Sequence, residues 1–114
     1  MWVVSGSDHT PLREPTFLVL AALAPAPLHG YGIIKVVEEM SEGRVHLRAG
    51  TLYAALERLE TQGYVAFLGE SVEGGPARRY FRLTEEGRKL LTAEAARLTA
   101  NARLVSARLG VEVA

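Results

Sequence analysis

Two short runs rich in β-branched and aromatic side chains, "YVAFLGE" and "RRYFRLT", flank the turn-forming segment "SVEGGPA" around Gly74, Gly75 and Pro76. The other patterned stretches of the chain carry the 3.6-residue period of a helix. An isolated two-stranded hairpin is marginally stable at best in water and needs an apolar surface to lie on. The chain is thereby constrained to a mainly α fold with a small β-hairpin packed against helices. Alternate strand residues point to opposite faces, so Arg79, Phe81 and Leu83 share one side and Arg78, Tyr80 and Arg82 the other. Phe81 and Leu83 should face the helices, leaving Arg78 and Arg82 toward solvent or a partner.

Three helices are expected before the hairpin. "PTFLVLAALA" is apolar nearly all round, with Pro15 suited to a first helical turn and Pro25 and Pro27 stopping it. A second helix is expected from about Gly30 to Ser41, with Ile33, Ile34, Val37 and Met40 inward and Gly43 ending it. The third is "AGTLYAALERLETQGYV", ending at Gly63, with Leu52, Ala55, Leu56 and Leu59 on its inner stripe. After the hairpin, Thr84 caps a helix running to about Leu109, with Glu85 and Glu86 at its positive end. Along it Leu91, Ala95, Leu98, Ala102, Val105 and Leu109 recur at alternating steps of four and three, the spacing of a seam between paired helices. So long a helix cannot bury that stripe on so small a body, and pairing with a second copy of itself is expected. The resulting division is a flexible N-terminal arm over 1–13, a winged-helix domain over 14–83 and a dimerisation helix over 84–114.

The outer face of the third helix is unusual. Surface helices usually carry Lys, Glu and Gln; here Gly50, Thr51, Tyr53, Ala54 and Arg58 stand with Glu57. Three helices followed by a hairpin is the order of a winged helix-turn-helix, whose third helix enters the DNA major groove with its N-terminal residues at base edges. Thr51 and Tyr53 are then candidate base contacts, with Arg44, Arg48 and Arg58 nearby and Arg78 and Arg79 on the wing. Charge supports the wing more than the helices. Residues 78–89 hold five basic and two acidic side chains, and residues 29–62 hold four basic and five acidic. Overall net charge is zero, which weighs against a highly basic nucleic-acid binder and leaves the matter to local charge.

The segments "LHGYGI", "GTLYAALERLETQGYV" and "GGPARRYFRLTEEGRKLL" stand in an order and spacing that resembles the PadR family of bacterial transcriptional regulators, over about residues 15–95. The resemblance implies a homodimeric winged-helix DNA-binding protein, usually a repressor, with the C-terminal helix mediating dimerisation; the symmetry of such a dimer predicts an inverted-repeat operator. Carried over by position, Tyr31, Thr51, Tyr53 and Arg78 or Arg79 would touch DNA. The single-helix tail is similar to the family's smaller branch, some of whose members bind small molecules between the subunits, so a small-molecule effector is also implied. The chain departs from the family pattern at Arg48-Ala49, where Ser-Pro is common, which removes the usual cap of the third helix. Ala54 stands where Pro often follows the motif's Tyr, and Gly32 where Glu often follows "HGY".

Other functions find little support. His9, His29 and His46 lack clustering and carboxylate companions, so no metal or cofactor is expected, and "HGYG" is read as a helix-starting turn. No nucleophile, base and orienting group recur at a usable spacing, so an enzyme is not expected. The absence of Cys, of a secretory leader and of a membrane-length apolar run fits a cytoplasmic setting. The alternative from another class is a winged-helix protein-interaction module without DNA binding, which the neutral overall charge allows.

Overall fold

A computed structural model describes residues 10–72 and 74–112. Its elements run α1 (Glu14–Leu23), β1 (Leu28–His29), α2 (Gly30–Met40), α3 (Ala49–Thr61), β2 (Val65–Ser71), β3 (Arg78–Leu83) and α4 (Glu85–Leu109). The fold is that expected from the sequence, four helices with a small sheet, enlarged by one strand. β1 has two residues and pairs antiparallel with β3, Leu28 opposite Phe81 and His29 opposite Tyr80, giving the sheet order β1-β3-β2. Two residues carry no readable alternation, so β1 exists only because β3 offers it an edge.

α1 starts with a proline in its first turn and buries Val19, Leu20, Ala22 and Leu23. Ile33 and Val37 of α2, Leu52, Leu56 and Leu59 of α3, Val65 of β2, and Phe81 and Leu83 of β3 close around them. Full burial of each such side chain contributes about 1.5–3 kcal/mol, so this shared core is what holds three short helices together. Met40 departs from expectation. It is 43% exposed, and Ser41, 3% exposed, takes the inward place four residues after Val37. The helix ends there, and Ser41 Oγ accepts from Val45 N–H and donates to Glu38 O, which a methionine cannot do.

α3 ends on a left-handed glycine, Gly63 at φ 87°, followed by Tyr64 N–H donating to Leu59 O; at the end of α2 the corresponding left-handed place is taken by Glu42 at φ 53°, followed by Gly43 at φ 81°, whose N–H donates to Glu38 O. In β2 the register steps from Phe67 opposite Phe81 to Gly69 opposite Tyr80, so Leu68 is the extra residue of a bulge, with Gly69 at φ 121°.

Thr84 caps α4, accepting from Gly87 N–H at 3.0 Å and donating to the Gly63 carbonyl at 2.6 Å. That second bond ties the start of α4 to the end of α3. A side chain at Gly87 would run into the Tyr64 carbonyl and stand 2.7 Å from Leu83 Cδ1, so the first turn of α4 lies this close to the ends of the hairpin only because glycine stands there. α4 buries Gly87, Leu90 and Glu94 against the body and then runs beyond it, which is why the molecule measures 54 Å along one axis and 22 Å along the shortest. Residues 1–9 of the expected arm lie outside the described residues. Closer in, Leu12 packs on the core and its N–H donates to Glu94 Oε2 at 2.7 Å.

Candidate nucleic-acid interface

β3 separates two sets of aromatic rings, one on each face. On the side of Arg79 and Phe81, the Phe81 ring lies 5.6 Å from Phe67 and 6.3 Å from Tyr53 of α3. The Arg79 guanidinium rests over the same group, 4.9 Å from the Phe67 ring centre and 5.7 Å from those of Tyr53 and Phe81. Three rings attract one cation and bias its rotamers, so the exposed Arg79 guanidinium sits between α3 and the wing. On the opposite side, Tyr80 meets His29 edge-on at 5.3 Å, and the Arg78 guanidinium stands 5.9 Å from the centre of the exposed Tyr31 ring. Arg78, expected toward solvent or a partner, remains exposed yet leans on the first turn of α2.

The first turn of α2 is built by His29. Its Nδ1 accepts from Gly32 N–H at 3.0 Å, making it the helix cap, and its ring lies nearly parallel to Tyr31, 6.3 Å away. Its Nε2 faces Arg78 Nη1 at 3.4 Å. Burial holds the imidazole pKa below its ordinary 6.5, and the Arg78 charge pushes it in the same direction. Both effects favour the neutral ring.

These residues frame a cleft of about 330 Å³ between α2, α3 and the wing, lined by His29, Tyr31, Tyr53, Arg78 and Arg79 together with Gly30, Pro76 and Ala77. Among its described lining residues two are arginines and none is a carboxylate. Across Tyr53 and Arg79 lies a second groove, which includes Gly50, Ala54, Glu57 and Glu60. The Tyr53–Arg79 wall thus divides a cationic cleft from a mixed one.

The structure brings together four of the expected contact residues, Tyr31, Tyr53, Arg78 and Arg79. Arg48 and Thr51 are exposed at the start of α3, and Arg48 supplies no side-chain cap, as the departure from Ser-Pro implied. Arg58 lies two turns further along, exposed beside Glu57, Thr61 and Gln62. Arg44 is engaged elsewhere: its Nη1 and Nη2 donate to the two Glu14 oxygens at 3.0 and 3.1 Å. That bond holds the Glu14 carboxyl below and the Arg44 guanidinium above their ordinary pKa values.

Along α4, Leu91 is half-buried against the core, whereas Leu98, Val105 and Leu109 of the expected seam are 40%, 57% and 69% exposed. Leu104, at 65%, widens the apolar strip beyond the residues expected. Two residues escaped sequence reasoning. His29 looked like part of a turn, and only its position before a helix hinted at a cap. Glu94 falls at the spacing of Gly87 and Leu90, the face that meets the body, and that spacing was available to be read. It is 0% exposed and accepts from Leu12 N–H and from Arg97 at 2.7 and 2.8 Å.

The model of the transcriptional regulator PadR-like family matches residues 19–93. An uncharacterised 37.1 kDa protein in a transposon of Streptomyces fradiae is 47% identical over 83 residues, covering 73% of this chain but only 22% of that protein. Among solved structures, a PadR family transcriptional regulator from Eggerthella lenta is 30% identical, with a TM-score of 0.66 over 85% of this chain and 82% of its own. One from Clostridium difficile, 24% identical, superimposes with a TM-score of 0.72 over 85% and 99% of the two chains. Bacillus subtilis PadR in complex with operator DNA, 22% identical, shares the fold with a TM-score of 0.61 over 70% of this chain and 46% of that one. The chain belongs to the PadR-like family of transcriptional regulators.

Proposed function

We propose that this PadR-like regulator is a homodimeric repressor that binds an inverted-repeat operator in double-stranded DNA. The observation that carries the reading is the exposed N-terminal end of α3 beside a cleft with two arginines and no described carboxylate. A major groove about 12 Å wide accepts one helix, so Thr51 and the small Gly50 and Ala54 reach base edges while Arg48 and Arg58 flank them. Tyr31, Arg78 and Arg79 take the adjoining backbone. Arg44 joins them only by exchanging the Glu14 carboxylate for a phosphate.

The dimeric part of the reading is supported by the apolar strip on α4 beyond Glu94, which the body of the same chain leaves uncovered. A second copy laid on Leu98, Ala102, Val105 and Leu109 covers that strip and sets two α3 helices a fixed distance apart, for half-sites about 34–36 Å apart. Repression requires no further surface, since occupancy of a promoter excludes polymerase. Release by a small molecule lodged between the paired α4 helices belongs to the same reading, and its setting is the cytoplasm, with the chromosome.

The test is a fluorescence anisotropy titration of labelled duplex from the protein's own promoter against unrelated duplex, repeated over a range of salt. A sequence-preferring complex is expected, with log K falling by about 0.9 for each phosphate neutralised per decade of salt. A protein that ignores both duplexes while retaining its fold acts through other proteins instead.

A further inference from the structure

We propose that His29 Nε2–H and the Arg78 guanidinium together grip one phosphate oxygen of the DNA backbone, which makes the cap of α2 a DNA contact as well. The inference rests on the DNA-binding reading above and adds to it a residue and a chemistry of contact.

The argument begins with a tautomer. A backbone amide can only donate, so the bond from Gly32 N–H at 3.0 Å requires a bare lone pair on Nδ1. In a neutral imidazole the single proton then sits on Nε2. Nε2 faces Arg78 Nη1 at 3.4 Å, and every guanidinium nitrogen is also a donor. Two donors so placed cannot satisfy each other, and a shared acceptor lying against both would satisfy them together.

The surroundings select an anion for that acceptor. Arg78 and Arg79 line the cleft, Tyr31 and Tyr53 add phenols, and the described lining holds no carboxylate. The Tyr31 ring, nearly parallel to His29 and 5.9 Å from the Arg78 guanidinium, limits the directions Arg78 can take. The positive end of the 11-residue α2 adds to the field. Two partly exposed donors hold a free anion weakly. A duplex lying in register with α3 delivers a phosphate already positioned, and in helix-turn-helix docking the helix before the groove-reading one crosses the backbone.

His29→Asn separates the two roles. Asn is a strong helix cap and its Oδ1 accepts from Gly32 N–H, but it does not extend to the position of Nε2. In the promoter titration with the full chain, His29→Asn is expected to keep the melting temperature, weaken promoter and unrelated duplex alike by about tenfold, and leave the salt slope unchanged, because a neutral donor releases no counterion. Arg78→Gln is expected to weaken binding and lower the slope by about 0.9. The double variant should lose less than the product of the two single losses. Wild-type affinity in a folded His29→Asn protein overturns the grip while leaving the DNA reading standing; failure of the wild-type chain to bind any duplex overturns both.

Histidine ¹⁵N NMR of the unaltered chain covers the case in which a variant does not fold. The proton is expected on Nε2, with its resonance moving when duplex is added and staying put with inorganic phosphate at equal phosphate concentration. A proton on Nδ1, no movement with duplex, or movement with inorganic phosphate alone each overturns the proposal.

Discussion

The phenol of Tyr53 fills the space in which a Cβ on Gly30 would stand; that carbon would lie 2.8 Å from Tyr53 Cζ and closer still to the hydroxyl. α2 begins with glycine because α3 lays a ring across its first residue. A residue expected to touch DNA is thus also a packing element, half-buried between α2 and Phe81.

Gly30→Ala is therefore expected to lower stability by about 1–3 kcal/mol, since a phenol ring wedged against two elements has little room to yield. In a Tyr53→Ala background the same change should lose that penalty and become neutral or stabilising, because Ala suits a helix better than Gly by up to about 1 kcal/mol. Urea melts of the four proteins measure the coupling. Equal penalties in both backgrounds would show that the Tyr53 ring is not what excludes a side chain.

Glu94 fastens the segment before α1 to the long helix through Leu12 N–H, while Arg97 of the same helix holds its carboxylate in place. Glu94→Ala should destabilise the fold by about 2–3 kcal/mol, the loss of charge-assisted hydrogen bonds at a fully buried site. Amide exchange at Leu12 should accelerate more than exchange at core amides such as that of Leu56. An unchanged Leu12 rate would mean that the segment is held by its side-chain packing alone.

The cap at His29 predicts a pH dependence with a definite sign. Its folded-state pKa lies below 6.5 through burial and the Arg78 charge, so the fold favours the neutral ring. The stabilisation is present above pH 6.5 and is lost as pH falls below that value through the lower folded-state pKa. Facing the ring are Arg78 and Tyr80 from β3 and Tyr31 from α2, with Tyr53 and Arg79 across the cleft. Between about pH 7.5 and about pH 5.5 the wild-type melting temperature should drop further than that of His29→Asn, which has no ring to charge. Parallel curves would show that the imidazole does not titrate with folding.

On α4, Val105→Glu or Leu109→Glu alters only an exposed strip of the single chain, at 57% and 69% exposure. Each should leave the melting of the winged-helix body within about 0.5 kcal/mol and convert the proposed dimer to monomer in sedimentation velocity, because a charge would be buried at every pairing. Operator affinity should fall with it. A dimer that survives both substitutions assembles through another surface.

The sequence by itself determined the elements. Period 3.6 against period 2, proline at a helix start, glycine past a helix end and threonine before α4 are local rules, each satisfied within a few residues, and they hold for α1 to α4 and for the β2–β3 hairpin. The expected inner residues failed at Met40, where a hydroxyl that could close the helix was worth more inside than a thioether outside it. Tertiary structure alone decided what stands beside what. His29 and Arg78 are 49 residues apart in the chain and meet because β1 joins β3 in a register set by the buried Phe81 opposite Leu28. Arg79 turned toward three rings and Arg44 toward Glu14 by the same kind of distant pairing. No local spacing encodes such neighbours; they follow from closing one small core, which fixes every exposed side chain relative to elements far away in sequence.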